Sequence, residues 1–144
     1  MTCIQRGADF PHEGFVQRAI ESHFSRLGFV LECDTLADLV CVHRHTAERW
    51  LIEAKGVTAN LGLDFGTGLA QLIQRMTDPS TKYALAIPCD ERFLAQCQLV
   101  SAHVREAIGL HWLIVTPDGS VVTIPPDQTI RDAGVPARSA FPRN

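Results

Sequence analysis

Between about residues 12 and 27, apolar side chains recur at three- and four-residue steps: Phe15-Val16, Ala19-Ile20, Phe24 and Leu27. That period predicts an amphipathic helix, and Gly28 supplies its stop. Phe29-Val30-Leu31-Glu32-Cys33 then reads as a strand. Leu36 to Val42 reads as a second strand, whose near-continuous apolar character predicts burial on both faces. The polar run His43-Arg44-His45-Thr46-Ala47-Glu48-Arg49 makes a turn before a third strand, Trp50 to Ala54. So short a connection favours an antiparallel hairpin.

Residues 56–68 hold glycines at 56, 62, 66 and 68, and the expectation is a loop bending closely around something. A second helix follows over about Thr67 to Met76, with Leu69, Leu72, Ile73 and Met76 on its core side. Asp78-Pro79-Ser80 ends it. Lys82 to Pro88 reads as a fourth strand, and Asp90 as the N-cap of a third helix extending to about Ile108. His111 to Thr116 and Ser120 to Ile124 form two more strands around the turn signal Pro117-Asp118-Gly119. The order is α-β-β-β-α-β-α-β-β. It predicts a single mixed α/β domain over residues 1–126, with a central sheet, and a polar C-terminal tail over 127–144 that is loosely attached.

Composition narrows the class. At 144 residues the chain is long enough to bury a genuine core, and 46% apolar with 20% charged residues is ordinary for a globular domain. No apolar run approaches the roughly 20 residues that span a bilayer. The stretch Met1 to Gly7 lacks the basic-then-apolar layout of a signal peptide, so cytoplasmic residence and no membrane partner are expected. Five cysteines (Cys3, Cys33, Cys41, Cys89, Cys97) include no Cys-x-x-Cys pair and read as buried thiols. His43 with His45 is the only close histidine pair, which favours a surface turn over a zinc site. The net charge of −3 counts against a protein that coats nucleic acid nonspecifically.

The chemistry-bearing segment is Trp50-Leu51-Ile52-Glu53-Ala54-Lys55-Gly56. Paired as a hairpin with the strand before it, it brings Asp38 close to Glu53 and Lys55. Two carboxylates and one ammonium at strand ends form a small divalent-metal site with a cation beside it, an arrangement suited to phosphodiester hydrolysis. Glu53 and Lys55, at i and i+2, equally fit a solvent-facing pair on an edge strand. Asp38 resists that plain account, because an unpaired carboxylate inside an apolar run is costly.

The helix, three consecutive strands, second helix and fourth strand, with Asp38 and Glu53-x-Lys55 so placed, resemble the core of the PD-(D/E)xK nuclease superfamily over residues of about 12 to 88. The resemblance implies a restriction-endonuclease-like α/β fold: a central mixed sheet of four to six strands flanked by helices, with the last helix and hairpin as additions. It also implies a Mg²⁺-dependent endonuclease or exonuclease, Mn²⁺ substituting, that cleaves nucleic acid and usually DNA. Asp38, Glu53 and Lys55 match the motif residues, while Ala37 stands where the name-giving proline would be. Gln71 and Gln74 resemble the helix glutamine of the resolvase-like and Mrr-like branches, and Gln71 is preferred because it lies nearer the helix start. Members often carry an acid in the first helix that joins the metal shell. Glu13 is the choice here, with Gln17 and Glu21 as alternatives; Glu in a first turn also complements the helix dipole.

In that reading Asp38 and Glu53 supply carboxylates and Ala54 a backbone carbonyl to the metal, Lys55 orients the attacking water, and Gly56 admits substrate close to the backbone. Asp64 is read as shaping a turn, and Arg75 and Lys82 as solvated surface residues. The function expected is a metal-dependent nuclease working as a homodimer. The alternative is a non-catalytic nucleic-acid- or protein-binding module that keeps the nuclease fold, and a third is an unrelated α/β domain. Keeping Asp38, Glu53 and Lys55 together favours the first.

Overall fold

The computed structural model describes residues 8–32 and 37–135. Helix α1 (Glu13–Arg26) is followed by strands β1 (Phe29–Leu31), β2 (Leu39–His43) and β3 (Arg49–Ala54). Helix α2 (Leu61–Gln74), strand β4 (Lys82–Pro88), helices α3 (Glu91–Leu99) and α4 (Ala102–Ile108), and strands β5 (Leu110–Val115) and β6 (Val121–Ile124) complete the order. The six strands form one mixed sheet in the order β1-β2-β3-β4-β5-β6. The two outer pairings at the β1 side and the β5–β6 pairing are antiparallel; β3–β4 and β4–β5 are parallel. The expected α/β fold with a central mixed sheet is the fold observed.

Each sheet face has its own core. Val16, Ala19, Ile20 and Phe24 of α1 pack on Leu39, Cys41, Trp50, Ile52, Ala54, Ala84, Ala86 and Leu113. On the other face, Phe65 and Leu72 of α2 and Phe93, Leu94 and Cys97 of α3 pack on Tyr83, Leu85, Ile87, Trp112 and Ile114. Covered from both sides, β4 is buried from Tyr83 to Pro88, as a central parallel strand must be. Cys41, Cys89 and Cys97 are free and buried; Cys3, Cys33 and Leu36 lie outside the described residues. Among the described residues no helix is long and apolar enough to cross a membrane.

Three local expectations change. Helix α2 begins at Leu61, so Gly62, Gly66 and Gly68 are helical rather than looped. The burial of Phe65 and Leu72 outweighs the glycines' low propensity. The single long third helix is two helices. Val100 takes an extended conformation, the Ser101 side chain accepts from the Val104 N–H as a new N-cap, and Gly109 in the left-handed region closes α4. Finally, residues 127–135 are anchored: Ile130 and Val135 are buried in the second core. Arg105, 2% exposed, donates to the Gln128, Ile124 and Pro125 carbonyls and lies 5.2 Å from the Trp112 ring centre. His43 also acquires a definite task, because its Nδ1 accepts from the His45 and Thr46 N–H groups and so closes the β2–β3 turn.

Candidate functional site

The site is assembled at the C-terminal end of β3. Antiparallel register sets Leu39 opposite Ile52, and one further step sets Asp38 opposite Glu53. The Asp38 Oδ2 accepts from the Ala54 N–H at 2.8 Å, tying the carboxylate to the strand that carries Glu53. From the other side, buried Gln17 donates to the Asp38 backbone carbonyl at 2.8 Å and to Glu21 Oε2 at 3.1 Å. Gln17, weighed as a substitute for Glu13, therefore positions Asp38 through its main chain. Asp38 itself is exposed.

Glu53 points to the α2 face and is 3% exposed. Burial pushes its carboxyl up to about 7; the neighbouring Asp38 adds to the rise through a hydrogen bond and its charge, while Arg75 and Lys55 oppose it. Lys55, the next residue but one, is held by its N–H donating to the Ala86 carbonyl at 2.9 Å. Its aliphatic stem runs against Gly68 of α2, where a Cβ would lie 2.8 Å from Lys55 Cε. A glycine there lets the helix approach closely enough to confine the lysine.

Gly56 plays the same part for α1. A Cβ at this position would stand 2.0 Å from the Glu13 N and 2.4 Å from the His12 carbonyl carbon. The first turn of α1 thus sits directly on the chain leaving β3, fastened by the Val57 N–H to the Pro11 carbonyl at 3.0 Å. The contact brings Glu13 into the electrostatic neighbourhood of the site. Its carboxyl is raised, first by partial burial and next by Asp38, with Lys55 acting against the rise and Asp64 adding to it.

Helix α2 contributes one stripe. Asp64, Gly68, Gln71 and Arg75 recur at four- and three-residue steps, so they share a face. Gln71 is half-buried on this stripe, whereas Gln74 is exposed and off it. Asp64 lies in the first turn of the helix and accepts from the Thr58 hydroxyl, which shapes the loop entering α2. Arg75, the C-cap, forms a salt bridge with Glu53 Oε1. Sequence reasoning put Arg75 in solvent; the structure turns it inward. The available signal was its position four residues after Gln71 and seven after Gly68.

Among the described residues no group of three or more His, Cys, Asp or Glu side chains is arranged to hold a metal ion. Asp38 and Glu53 make a pair, and the pair is compatible with Mg²⁺ or Mn²⁺, which take one or two carboxylates and fill the remaining positions with water or backbone oxygen. The Glu53–Arg75 bridge engages Oε1 of this pair, so a metal ion would compete with the guanidinium for it. Ala54, the third expected ligand, is the last residue of β3 and buried, its N–H engaged by Asp38. No family model matches the chain, and neither the curated proteins nor the solved structures offer a match to it.

Proposed function

We propose that this chain is a metal-dependent nuclease of the PD-(D/E)xK type, hydrolysing phosphodiester bonds in nucleic acid, DNA foremost. The observation that carries the reading is the facing of Asp38 and Glu53 across the β2–β3 register, with Lys55 two residues on. A bound Mg²⁺ or Mn²⁺ supplies charge shielding of the scissile phosphate and a more acidic water. Asp38 and Glu53 would hold that ion, with the Ala54 carbonyl as a backbone ligand. Lys55 orients the attacking water and faces the negative charge that develops as the phosphorus–oxygen bond to the leaving group breaks. Gln71 and Glu13 line the approach, Gln71 as a hydrogen-bonding group for water or phosphate and Glu13 as a third acid at the edge. One site per protomer serves one strand, so cleavage of both strands calls for a homodimer, and a cytoplasmic location suits a nucleic-acid substrate.

The second reading, a non-catalytic binding module, draws on the pairing of Glu53 with Arg75, which neutralises a would-be metal ligand. Purified protein incubated with supercoiled and linear DNA and with RNA, in Mg²⁺ or Mn²⁺, separates the two. The nuclease reading expects cleavage that Glu53→Ala and Lys55→Ala abolish. Cleavage retained by both variants removes this site from the chemistry, and an inert protein that binds no metal by calorimetry favours the module.

A further inference from the structure

Arg75 is, among the described residues, a strong cation at the site that neither the motif nor the proposed chemistry uses. It caps α2, its N–H donating to the Leu72 carbonyl at 3.0 Å, and its guanidinium bridges to Glu53 Oε1. The two partners are unequally covered: the Glu53 side chain is 4% exposed and that of Arg75 26%. The bridge therefore reaches from a buried carboxylate out to the protein surface at the end of the stripe bearing Gln71. A guanidinium stays charged at any working pH and donates in a planar fork that matches carboxylate and phosphate alike.

A divalent cation bound by Asp38 and Glu53 would compete for the Glu53 carboxylate, whose Oε1 Arg75 now holds. Two cations crowding one buried carboxylate repel each other, so entry of the metal opens the bridge. The released guanidinium, already partly exposed, would remain at the solvent edge of the site and could meet a phosphate there. From this geometry we infer that Arg75 is an exchangeable partner. It holds Glu53 in the metal-free protein and passes to a substrate phosphate when a divalent cation takes Glu53. The inference rests on the nuclease reading and adds to it a phosphate-binding residue and a metal-sensitive latch. Loss of the charge alone also moves metal and nucleic-acid affinity in opposite directions, so the charge-keeping Arg75→Lys variant is what isolates the guanidinium fork.

Those opposite responses are the test. Mn²⁺ affinity is measured by titration calorimetry, and affinity for a fluorescein-labelled DNA duplex by anisotropy in Ca²⁺, whose tolerant coordination serves binding. The proteins are wild type, Arg75→Met, Arg75→Lys and Glu53→Gln, with a thermal melt on each. Arg75→Met is expected to bind Mn²⁺ about tenfold more tightly and the duplex about tenfold more weakly, the scale of one charge-assisted contact. Arg75→Lys, which keeps the charge without the fork, shifts both in the same directions by smaller factors and carries the test if Arg75→Met fails to fold. Glu53→Gln loses Mn²⁺ binding. Unchanged or weaker Mn²⁺ binding by both Arg75 variants, beside a wild type that binds, overturns the latch and leaves the nuclease reading standing. Tighter Mn²⁺ binding with unchanged duplex affinity overturns the transfer to phosphate. No Mn²⁺ binding by any of the proteins removes the metal-dependent reading and the latch together.

Discussion

Gly56→Ala tests how the site is put together. Gly56 lies outside the left-handed φ region, so alanine's backbone preference carries no penalty there. The whole effect is then steric. The new methyl would meet the Glu13 N at 2.0 Å, the His12 carbonyl carbon at 2.4 Å and the Glu13 Cα at 2.6 Å, all of them main chain. Side chains rotate away from such overlaps, but a helix start fixed by the Val57–Pro11 hydrogen bond does not. Overpacking into a filled space costs about 1–3 kcal/mol, and collision with backbone belongs at the upper end or beyond. At roughly 4 °C per kcal/mol for a domain of this size, 3 kcal/mol lowers the melting temperature by about 12 °C. The internal control is Gly66→Ala, at an exposed helical glycine with nothing within 4 Å. That change gains helix propensity and raises stability by up to about 1 kcal/mol. Thermal melts give the numbers, and amide exchange at Val57 reports locally whether α1 has lifted off. A Gly56→Ala melt within about 3 °C of wild type, with Val57 still protected, refutes the close seating of α1 on the chain after Lys55.

Gly68→Ala presses on Lys55 Cε at 2.8 Å and Cγ at 3.1 Å, both parts of a flexible side chain. The melting temperature should stay within a few degrees while cleavage slows on the order of 100-fold, as expected when a catalytic group is displaced by about an ångström; unchanged cleavage means Lys55 is not confined there. Arg105→Met removes the donor serving three carbonyls and is expected to cost about 3 kcal/mol and to expose residues 127–135 to limited proteolysis. A variant as stable and as resistant as wild type contradicts that anchoring. Glu53 has a folded-state pKa above its ordinary 4.5, so its protonated form favours folding: that contribution is full below about pH 4.5 and lost as pH rises through about 7. Glu53→Gln should therefore gain melting temperature relative to wild type as pH rises across this window. Mn²⁺ affinity, which requires the ionised carboxylate, should rise with pH over the same range; a flat profile for both denies the shift.

How far the sequence disclosed this arrangement depends on distance along the chain. Asp38 and Glu53 were legible as neighbours because a short polar turn between two apolar strands leaves little freedom of register, and period-two alternation then fixes which residues face. The start of α2 is hidden in the sequence because four glycines in thirteen residues outweigh the step from Leu61 to Phe65, whose value appears only once Phe65 has a core to enter. Ser101 is an N-cap residue type, but Phe93, Leu94, Cys97, Val100, Val104 and Ala107 at helical spacing mask the break before it. The inward turn of Arg75 depends on Glu53, 22 residues earlier and on another element. No local period encodes such a pairing. The same holds for Ile130 and Val135, isolated apolar residues in a polar segment whose anchor is Arg105.

The six strands stand side by side in the order in which they are synthesised. Every strand therefore meets a partner that has only just left the ribosome. The hairpin joining Asp38 to Glu53, and the first helix with Gln17 and Glu13, emerge before α2 with its Gln71 and Arg75. Glu53 thus spends its earliest life without the guanidinium that later covers it, and the two carboxylates are open to divalent ions in the cell at that stage. Docking of α2 then closes a half-made site, so folding of this chain is expected to be sensitive to metal from its first strands onward.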